Sequence, residues 1–339
     1  MPLDILLFAL GLVLAAMTLR DVFDTVVVPG GSTATLRVAH RLVVMFLPMW
    51  KLIRGRRRGL SSNFAPFVLV FSFFVWMSLL ALAFGLMTYA ARLQFRPPVV
   101  SFADSVYQAG SALVTVGLSP HFPRGLGRWI ILGAGFCGLA VMTMAVTYLL
   151  EVQQSIARRD TGIIKLNTSA GDPPSALSLL ERFAAIGNKH ELADVIQEGR
   201  NWSATVRQSH AAHPSLIYFQ SIGTGAGWPA ALGALLDLAL LMEGCIDDQP
   251  LFGPSVLLGD EGARMARQLA AVIGLKPQEL RPNVAELRDA AQRLERSGYV
   301  VRPDADFEAM ARRRADYQSC VNALAEHLGK PTAVLIRPS

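Results

Sequence analysis

Two long stretches of this chain contain no charged residue, and they constrain its fold more than any other feature. No Asp, Glu, Lys or Arg occurs between Arg58 and Arg92, and Trp129 to Leu150 is a second uncharged, largely apolar stretch. A transmembrane helix needs about 20 consecutive apolar residues. We therefore expect one membrane-spanning helix over residues 64–90 and another over residues 129–150.

The N-terminus supplies a third apolar run. Residues 3–19 are mostly apolar, and the chain as a whole is 52% hydrophobic and only 17% charged, against about 25% charged in typical soluble domains. We expect a retained transmembrane helix over residues 1–20. A cleaved signal peptide is the alternative, but no Lys or Arg precedes the run and no clear small-residue cleavage site follows it.

The distribution of charge gives the expected orientation. Residues 1–160 carry 14 basic and 6 acidic residues; eight of the basic ones lie in residues 20–58 and four in residues 92–128. Loops rich in Lys and Arg stay in the cytoplasm. We expect a multi-pass protein of the cell (plasma or inner) membrane, with its N-terminus outside and its C-terminal domain in the cytoplasm. This charge fits topology and lipid headgroups, so no nucleic-acid partner is expected.

Residues 21–63 form a basic segment between the first two spans. Its uninterrupted apolar part, Leu42 to Trp50, has nine residues and contains Pro48, which is too short to cross a bilayer. We predict an amphipathic helix in the cytoplasmic interface of the membrane, with Trp50 at the depth of the headgroups. A pair of crossings over residues 34–53 is the alternative.

Residues 101–120, between the two strong spans, are too many for a turn and too few for a crossing helix. Ser101 and Asp104 fit an N-terminal helix cap. A helix over residues 102–113 would be about 18 Å long at 1.5 Å per residue, half of a membrane. Its carbonyl end would favour a cation at the bilayer centre, where non-helical backbone is tolerated only beside a water-filled cavity. A plain extracellular hairpin is the alternative.

Thr115-Val116-Gly117 follows that half-helix. With an apolar helix, a Ser-Phe-x-Asp-x-x-Tyr helix and a second apolar helix in this order, residues 64–150 resemble the two-helix pore module of potassium channels. The resemblance implies an all-α membrane protein with an outer helix (64–90), a pore helix (102–113), a filter (114–120) and an inner helix (129–150).

The resemblance also implies functional residues. Four copies would surround one pore, and potassium would be coordinated by backbone carbonyls and the Thr115 hydroxyl. The implied coordinating residues are Thr115, Val116, Gly117 and Leu118, and the implied supporting residues are Ser119, Tyr107 and Asp104. Gly138 corresponds to the family's inner-helix glycine and is a candidate gating hinge. A small residue for close helix packing is the alternative there.

The filter departs from the family in its outer half, where Leu118-Ser119-Pro120 replaces an aromatic residue, glycine and aspartate. Leu118 has no hydroxyl to brace the filter. Ser119 has a side chain where glycine tolerates a positive φ. We therefore expect weak discrimination of potassium from other monovalent cations.

The remainder, residues 151–339, is predicted to be a helical cytoplasmic domain. Proline, glycine and asparagine divide it into helices over residues 174–186, 188–209, 228–246, 260–274, 283–297 and 304–328, with one short extended piece at Leu216 to Phe219. Trp228 to Met242 is apolar enough to suggest a fourth membrane segment. Its 15 residues and Asp237 favour a buried core helix instead.

Few other motifs carry chemistry. Gly223 to Gly227 resembles a dinucleotide-binding loop, but Trp228 stands where the last glycine is required, so we predict a helix cap and no nucleotide-binding domain. Neither a metal site nor a resident cofactor is expected. The three histidines His190, His210 and His213 are interpreted as surface or capping residues, and Arg312 to Arg314 as a solvated face.

Three functional classes follow. We favour a tetrameric channel gated by an unknown signal through the cytoplasmic domain. A membrane-anchored signalling or scaffold protein with a non-conducting pore-like module is the alternative. An enzyme is disfavoured because the sequence shows no nucleophile, paired carboxylates or metal constellation.

Overall fold

The computed structural model describes residues 2–28, 38–56, 64–220 and 223–337. The chain divides into two compact units, residues 1–152 and 153–339. The described residues form eleven α-helices: α1 Pro2–Val26, α2 Val38–Arg56, α3 Phe64–Ala90, α4 Phe102–Leu113, α5 Leu126–Ala170, α6 Ala176–Ala185, α7 Leu192–Ala212, α8 Gly227–Gly244, α9 Gln249–Val272, α10 Val284–Arg296 and α11 Phe307–Leu328.

Three helices among the described residues, α1, α3 and α5, are long and apolar enough to cross a membrane, which agrees with the prediction of a multi-pass membrane protein. Helix α3 has the predicted bounds. Helix α1 continues past residue 20 to Val26, and α5 continues past residue 150 to Ala170. Glu151 ends the apolar run but not the helix, because helix-forming residues continue until Gly171, whose φ of +81° ends it.

Helix α1 packs antiparallel against α3. An ion pair between Asp4 and Arg92 joins one end of α1 to the residues that follow α3. Near the middle, a Cβ on Gly11 would lie 2.8 Å from the Met87 side chain, so glycine permits the close approach of the two helices. The apolar side chains on the other faces of α1 are exposed, as expected for a lipid-facing surface.

A buried carboxylate connects the first three helices. Asp21 of α1 is fully buried and accepts hydrogen bonds from the Trp76 indole (2.8 Å) and from the backbone N–H of Val38 (3.2 Å). Trp76 belongs to α3 and Val38 is the first residue of α2. These bonds offset the cost of burying a charged group among apolar side chains.

Helix α2 packs against α3 through aromatic rings. Trp50 is 2% exposed and stacks on Phe64 with ring centroids 5.2 Å apart; its depth in the membrane stays a prediction. Helix α2 is not among the three candidate spans found in the described residues. Residues 29–37 and 57–63 of the predicted segment lie outside the described residues.

The second unit has the predicted helical character with two corrections. Residues 216–218 are not extended, because Pro214–Tyr218 forms a 3₁₀ helix whose Leu216, Ile217 and Tyr218 are all buried; only Phe219 keeps the predicted extended backbone. Helix α9 begins at Gln249 instead of residue 260, since the Asp248 carboxylate accepts the N–H of Leu251 and caps the helix.

Helix α8 is the core of the second unit, and every residue from Gly227 to Met242 is buried. It is a core helix and not among the candidate spans. Its Asp237 accepts two hydrogen bonds from Arg314 (2.8 and 3.1 Å) and one from the Tyr317 hydroxyl (2.6 Å). Arg314 also pairs with Glu286. The prediction of a solvated face is therefore wrong for Arg314. Buried Asp237 needs a positively charged partner, and Arg314 supplies it.

Candidate functional site

Helix α4 begins with the predicted cap. The Ser101 hydroxyl accepts the N–H of Asp104 (3.0 Å) and donates to the Asp104 carboxylate (2.6 Å). This satisfies a helix amide that has no partner inside the helix. The helix has the predicted bounds, Phe102–Leu113. Asp104 therefore supports the start of this helix, eleven residues before Thr115.

Small residues hold α4 close to its neighbours. On the α3 side, a Cβ on Gly85 would lie 2.7 Å from a methyl group of Val106. At the carbonyl end, Gly138 of α5 touches the backbone of Leu113, and any Cβ there would overlap the Leu113 carbonyl oxygen. Helix α5 runs unbroken through Gly138. This geometry favours the packing interpretation of Gly138 over the hinge.

The 114–120 loop leaves α4 with an unusual backbone. Val114 ends the helix, Thr115 has φ of +61° and Gly117 has φ of +69°. Among the described residues Thr115 is the single non-glycine residue with positive φ. Such a conformation costs about 1–3 kcal/mol and tends to occur at functional sites. The strain expected at Ser119 thus lies at Thr115 instead.

Successive N–H groups of this loop converge on one acceptor. The backbone N–H groups of Val116 (2.9 Å) and Gly117 (3.1 Å) both donate to the Ser111 carbonyl. Across the described residues, no donor is bonded to the carbonyl oxygens of Thr115, Val116 or Gly117. The loop therefore holds its N–H groups towards α4 and leaves a run of carbonyl oxygens available to a cation.

The side chains of the site are open to the surroundings in the single chain. Val116 is 58% exposed, Leu118 63% and Tyr107 59%. Ser119 makes a local turn, in which its hydroxyl accepts the N–H of His121 (3.1 Å). The structure therefore brings Thr115, Val116, Gly117 and Leu118 together on one exposed loop.

A small hairpin fixes the outer end of the loop. Strand β1 (Phe95–Arg96) pairs antiparallel with β2 (Phe122–Pro123), and the side chain of Phe95 is fully buried. The His121 ring nitrogen Nδ1 lies 2.8 Å from the Pro97 carbonyl and donates to it. This hairpin could not be predicted from the sequence, because two-residue strands leave no periodic pattern.

Buried polar atoms without partners lie in the same region. The Gln108 amide oxygen and the Ser111 hydroxyl of α4, together with the Thr88 hydroxyl of α3, have no hydrogen-bond partner among the described residues. A buried polar group left unpaired costs about 1–3 kcal/mol. Ordered water or a neighbouring copy would remove that cost.

In the second unit, the glycine-rich loop already holds an anionic group. The N–H of Ala226 donates to the Asp172 carboxylate (3.0 Å), and Lys330 donates to the Gly225 carbonyl (3.2 Å). The beginning of α8 is therefore occupied by a side chain of the same unit. This arrangement agrees with the interpretation of residues 223–227 as a cap.

His210 departs from its prediction as a surface residue. It is fully buried, and its Nε2 lies 3.3 Å from the Arg159 guanidinium. A guanidinium can only donate, so Nε2 accepts and the imidazole is neutral. Burial, and then the charge of Arg159, hold the pKa of His210 well below its usual 6.5. Exposed His190 fits the prediction, and His213 caps α7.

The chain should therefore lose stability in mild acid because of His210. Below pH 6.5 the unfolded chain takes up a proton that folded His210 cannot, so the free energy of unfolding falls by up to about 1.4 kcal/mol for each unit by which the pH is lowered. We expect the apparent melting temperature to fall less between pH 7.5 and 5.5 in His210→Gln than in the wild type. His190→Gln is the control and should match the wild type; equal pH dependence in all three would contradict the assignment.

The chain was also compared with known proteins. Searches of protein-family models, curated proteins and solved structures found no match.

Proposed function

We propose that the chain is one subunit of a homotetrameric cation channel that conducts potassium. The observation that carries the proposal is the 114–120 loop, which follows the carbonyl end of a short capped helix and leaves the carbonyls of Thr115, Val116 and Gly117 without donors among the described residues. Rings of such carbonyls can replace the hydration shell of a cation.

Electrostatics at the end of α4 support a cation at this position. The aligned peptide dipoles of a helix leave about half a negative charge at its C-terminus. Helix α4 and the loop lie in sequence between the candidate spans α3 and α5. Irregular backbone within a membrane is tolerated only where protein buries it or a water-filled cavity borders it.

Four copies would account for features that a single chain leaves open. The loop carbonyls of one copy cannot enclose a cation by themselves, and Val116 and Leu118 are exposed. Around a shared axis these residues would face one another, and water or a neighbour could reach Gln108 and Ser111. The basic residues 20–58 favour a cytoplasmic second unit, through which an unknown signal would gate the pore.

Ion flux tests the proposal directly. Purified protein in liposomes should allow potassium to follow its gradient, and this flux should be absent from empty liposomes. Absence of flux from well-folded tetramers would instead support a signalling or scaffold protein with a non-conducting loop.

The outer half of the loop should limit selectivity. We expect Leu118→Tyr combined with Ser119→Gly to raise the preference for potassium over sodium, because it adds a bracing hydroxyl and because glycine permits a positive φ that Ser119 does not adopt. A gain of about 1.4 kcal/mol in differential binding is tenfold. The measurement is the bi-ionic reversal potential, with Ser119→Gly alone as the control; an unchanged potential in the double variant would count against the 114–120 loop as the filter.

A further inference from the structure

The second unit contains a cavity of about 310 Å³ that no part of the proposed channel function uses. Its walls come from the last part of α5, from α7 and from α8, with Leu179 of α6. The volume lies at the lower end of the range found for small-molecule sites, about 300–1,000 Å³. Its size suits a ligand with a single ring or a short branched chain.

The wall of the cavity is apolar and carries one fixed aromatic ring. Leu166, Leu179, Val195 and Leu235 contribute aliphatic surface. The Trp202 indole donates to the Arg159 carbonyl (2.9 Å), which fixes the plane of the ring. Such a surface would pack against an aromatic or branched apolar group.

Gly162 permits this arrangement. It lies on α5 directly beneath the Trp202 ring, and any Cβ at position 162 would overlap the indole. A larger residue would push Trp202 away from α5 and remove one wall. The shape of the cavity therefore depends on Gly162, which leaves room for the Trp202 indole.

The side chains that line the cavity carry more positive than negative charge. Among the described residues that line it, those with ionisable side chains are Arg158, Lys165 and Glu198. Lys165 and Glu198 pair with each other at 2.9 Å. Arg158 is exposed and has no hydrogen bond or ion pair to any described residue. One positive charge thus remains without a counter-charge at the edge of an apolar cavity.

We propose that this cavity binds a small amphipathic monoanion, with an apolar ring in the cavity and a carboxylate at Arg158. An Arg–carboxylate contact is charge-assisted and can use two parallel N–H donors. One unopposed cation matches one negative charge, which disfavours polyphosphates. The site does not depend on ion conduction.

The bound anion would connect separate helices. Its carboxylate would contact α5, and its apolar ring would lie against α7 and α8. Ligand binding to the folded chain would then stabilise the second unit according to the ligand's concentration relative to its dissociation constant.

The test is a ¹⁹F NMR titration of the full chain in detergent with 4-(trifluoromethyl)benzoate. The neutral 4-(trifluoromethyl)benzyl alcohol is the matched probe without charge. We expect saturable binding of the benzoate, at least fivefold tighter than the alcohol. Partition into micelles differs between the two probes and is measured for each in micelles without protein; for one probe it is the same for every variant. Equal binding of the two probes, or no saturable binding of the benzoate, would overturn the proposal.

Variants locate the binding site. We expect Arg158→Gln to weaken benzoate binding about tenfold and to leave alcohol binding unchanged. Arg200→Gln is the control, since it removes the same charge from α7 at a residue outside the cavity lining, and it should bind as the wild type does. Glu198→Gln frees Lys165 and should tighten benzoate binding two- to fivefold. Equal affinities of Arg158→Gln and Arg200→Gln would refute the assignment of Arg158.

Discussion

Gly117→Ala is expected to abolish potassium current through the proposed channel while leaving the proposed tetramer assembled. Gly117 has φ of +69°, and a Cβ built there meets no atom within 4 Å. The effect within one chain is therefore conformational, since an L-residue in this region costs about 1–2 kcal/mol. A small rotation of the peptide relieves that strain and turns a carbonyl away from the ion. Current in planar bilayers and chemical crosslinking of the tetramer measure the two parts of the prediction.

Gly187→Ala is the control for Gly117→Ala. It tests whether a strained alanine stops the current only when it lies in the 114–120 loop. Gly187 has φ of +72°, also has open space around its Cβ position, and lies in the second unit. The same change should impose a similar strain and leave the current near the wild-type level. If Gly117→Ala conducts as well as Gly187→Ala does, the 114–120 loop does not coordinate the ion.

Gly138→Ala is expected to disrupt the contact between α4 and α5. The added methyl group would overlap the Leu113 carbonyl oxygen, so one of the two helices must move. Overpacking of this kind typically costs about 1–3 kcal/mol. We expect a lower apparent melting temperature and a loss of current, because Leu113 is the last residue of the helix that leads into the 114–120 loop.

Gly135→Ala is the matched control on the same helix. A Cβ on Gly135 would lie 3.5 Å from the Ala112 carbonyl, which is an ordinary contact, so this variant should resemble the wild type. The hinge hypothesis predicts a different result for Gly138→Ala, namely an unchanged melting temperature with an altered open probability. That result would contradict the packing interpretation.

The sequence was sufficient where local chemistry decides the structure. Helix α3 could be predicted because Arg58 and Arg92 bound an uncharged stretch. Helix α4 could be predicted because Ser101 and Asp104 form a cap that requires only neighbouring residues. Membrane spans and helix caps depend on a few consecutive positions, and these positions can be read along the chain.

Long-range partners were the part that the sequence could not predict. His210 lies buried beside Arg159, 51 residues away, and Arg314 pairs with Asp237 across 77 residues. The residues adjacent in sequence to His210 and Arg314 give no sign of these partners, so both are predicted to lie on the surface. The positive φ of Thr115 was equally hidden, because β-branched residues rarely adopt it and no neighbouring residue type signals it.

The contact between Asp21 and Trp76 bears on the biosynthesis of this protein. Trp76 follows Asp21 by 55 residues, so at roughly 5–20 residues per second the ribosome supplies the indole about 3–11 s after the carboxylate. During that interval α1 is already synthesised, but α3, against which it finally packs, is incomplete. Completion of α3 thus sets the earliest moment at which α1 can reach its final position.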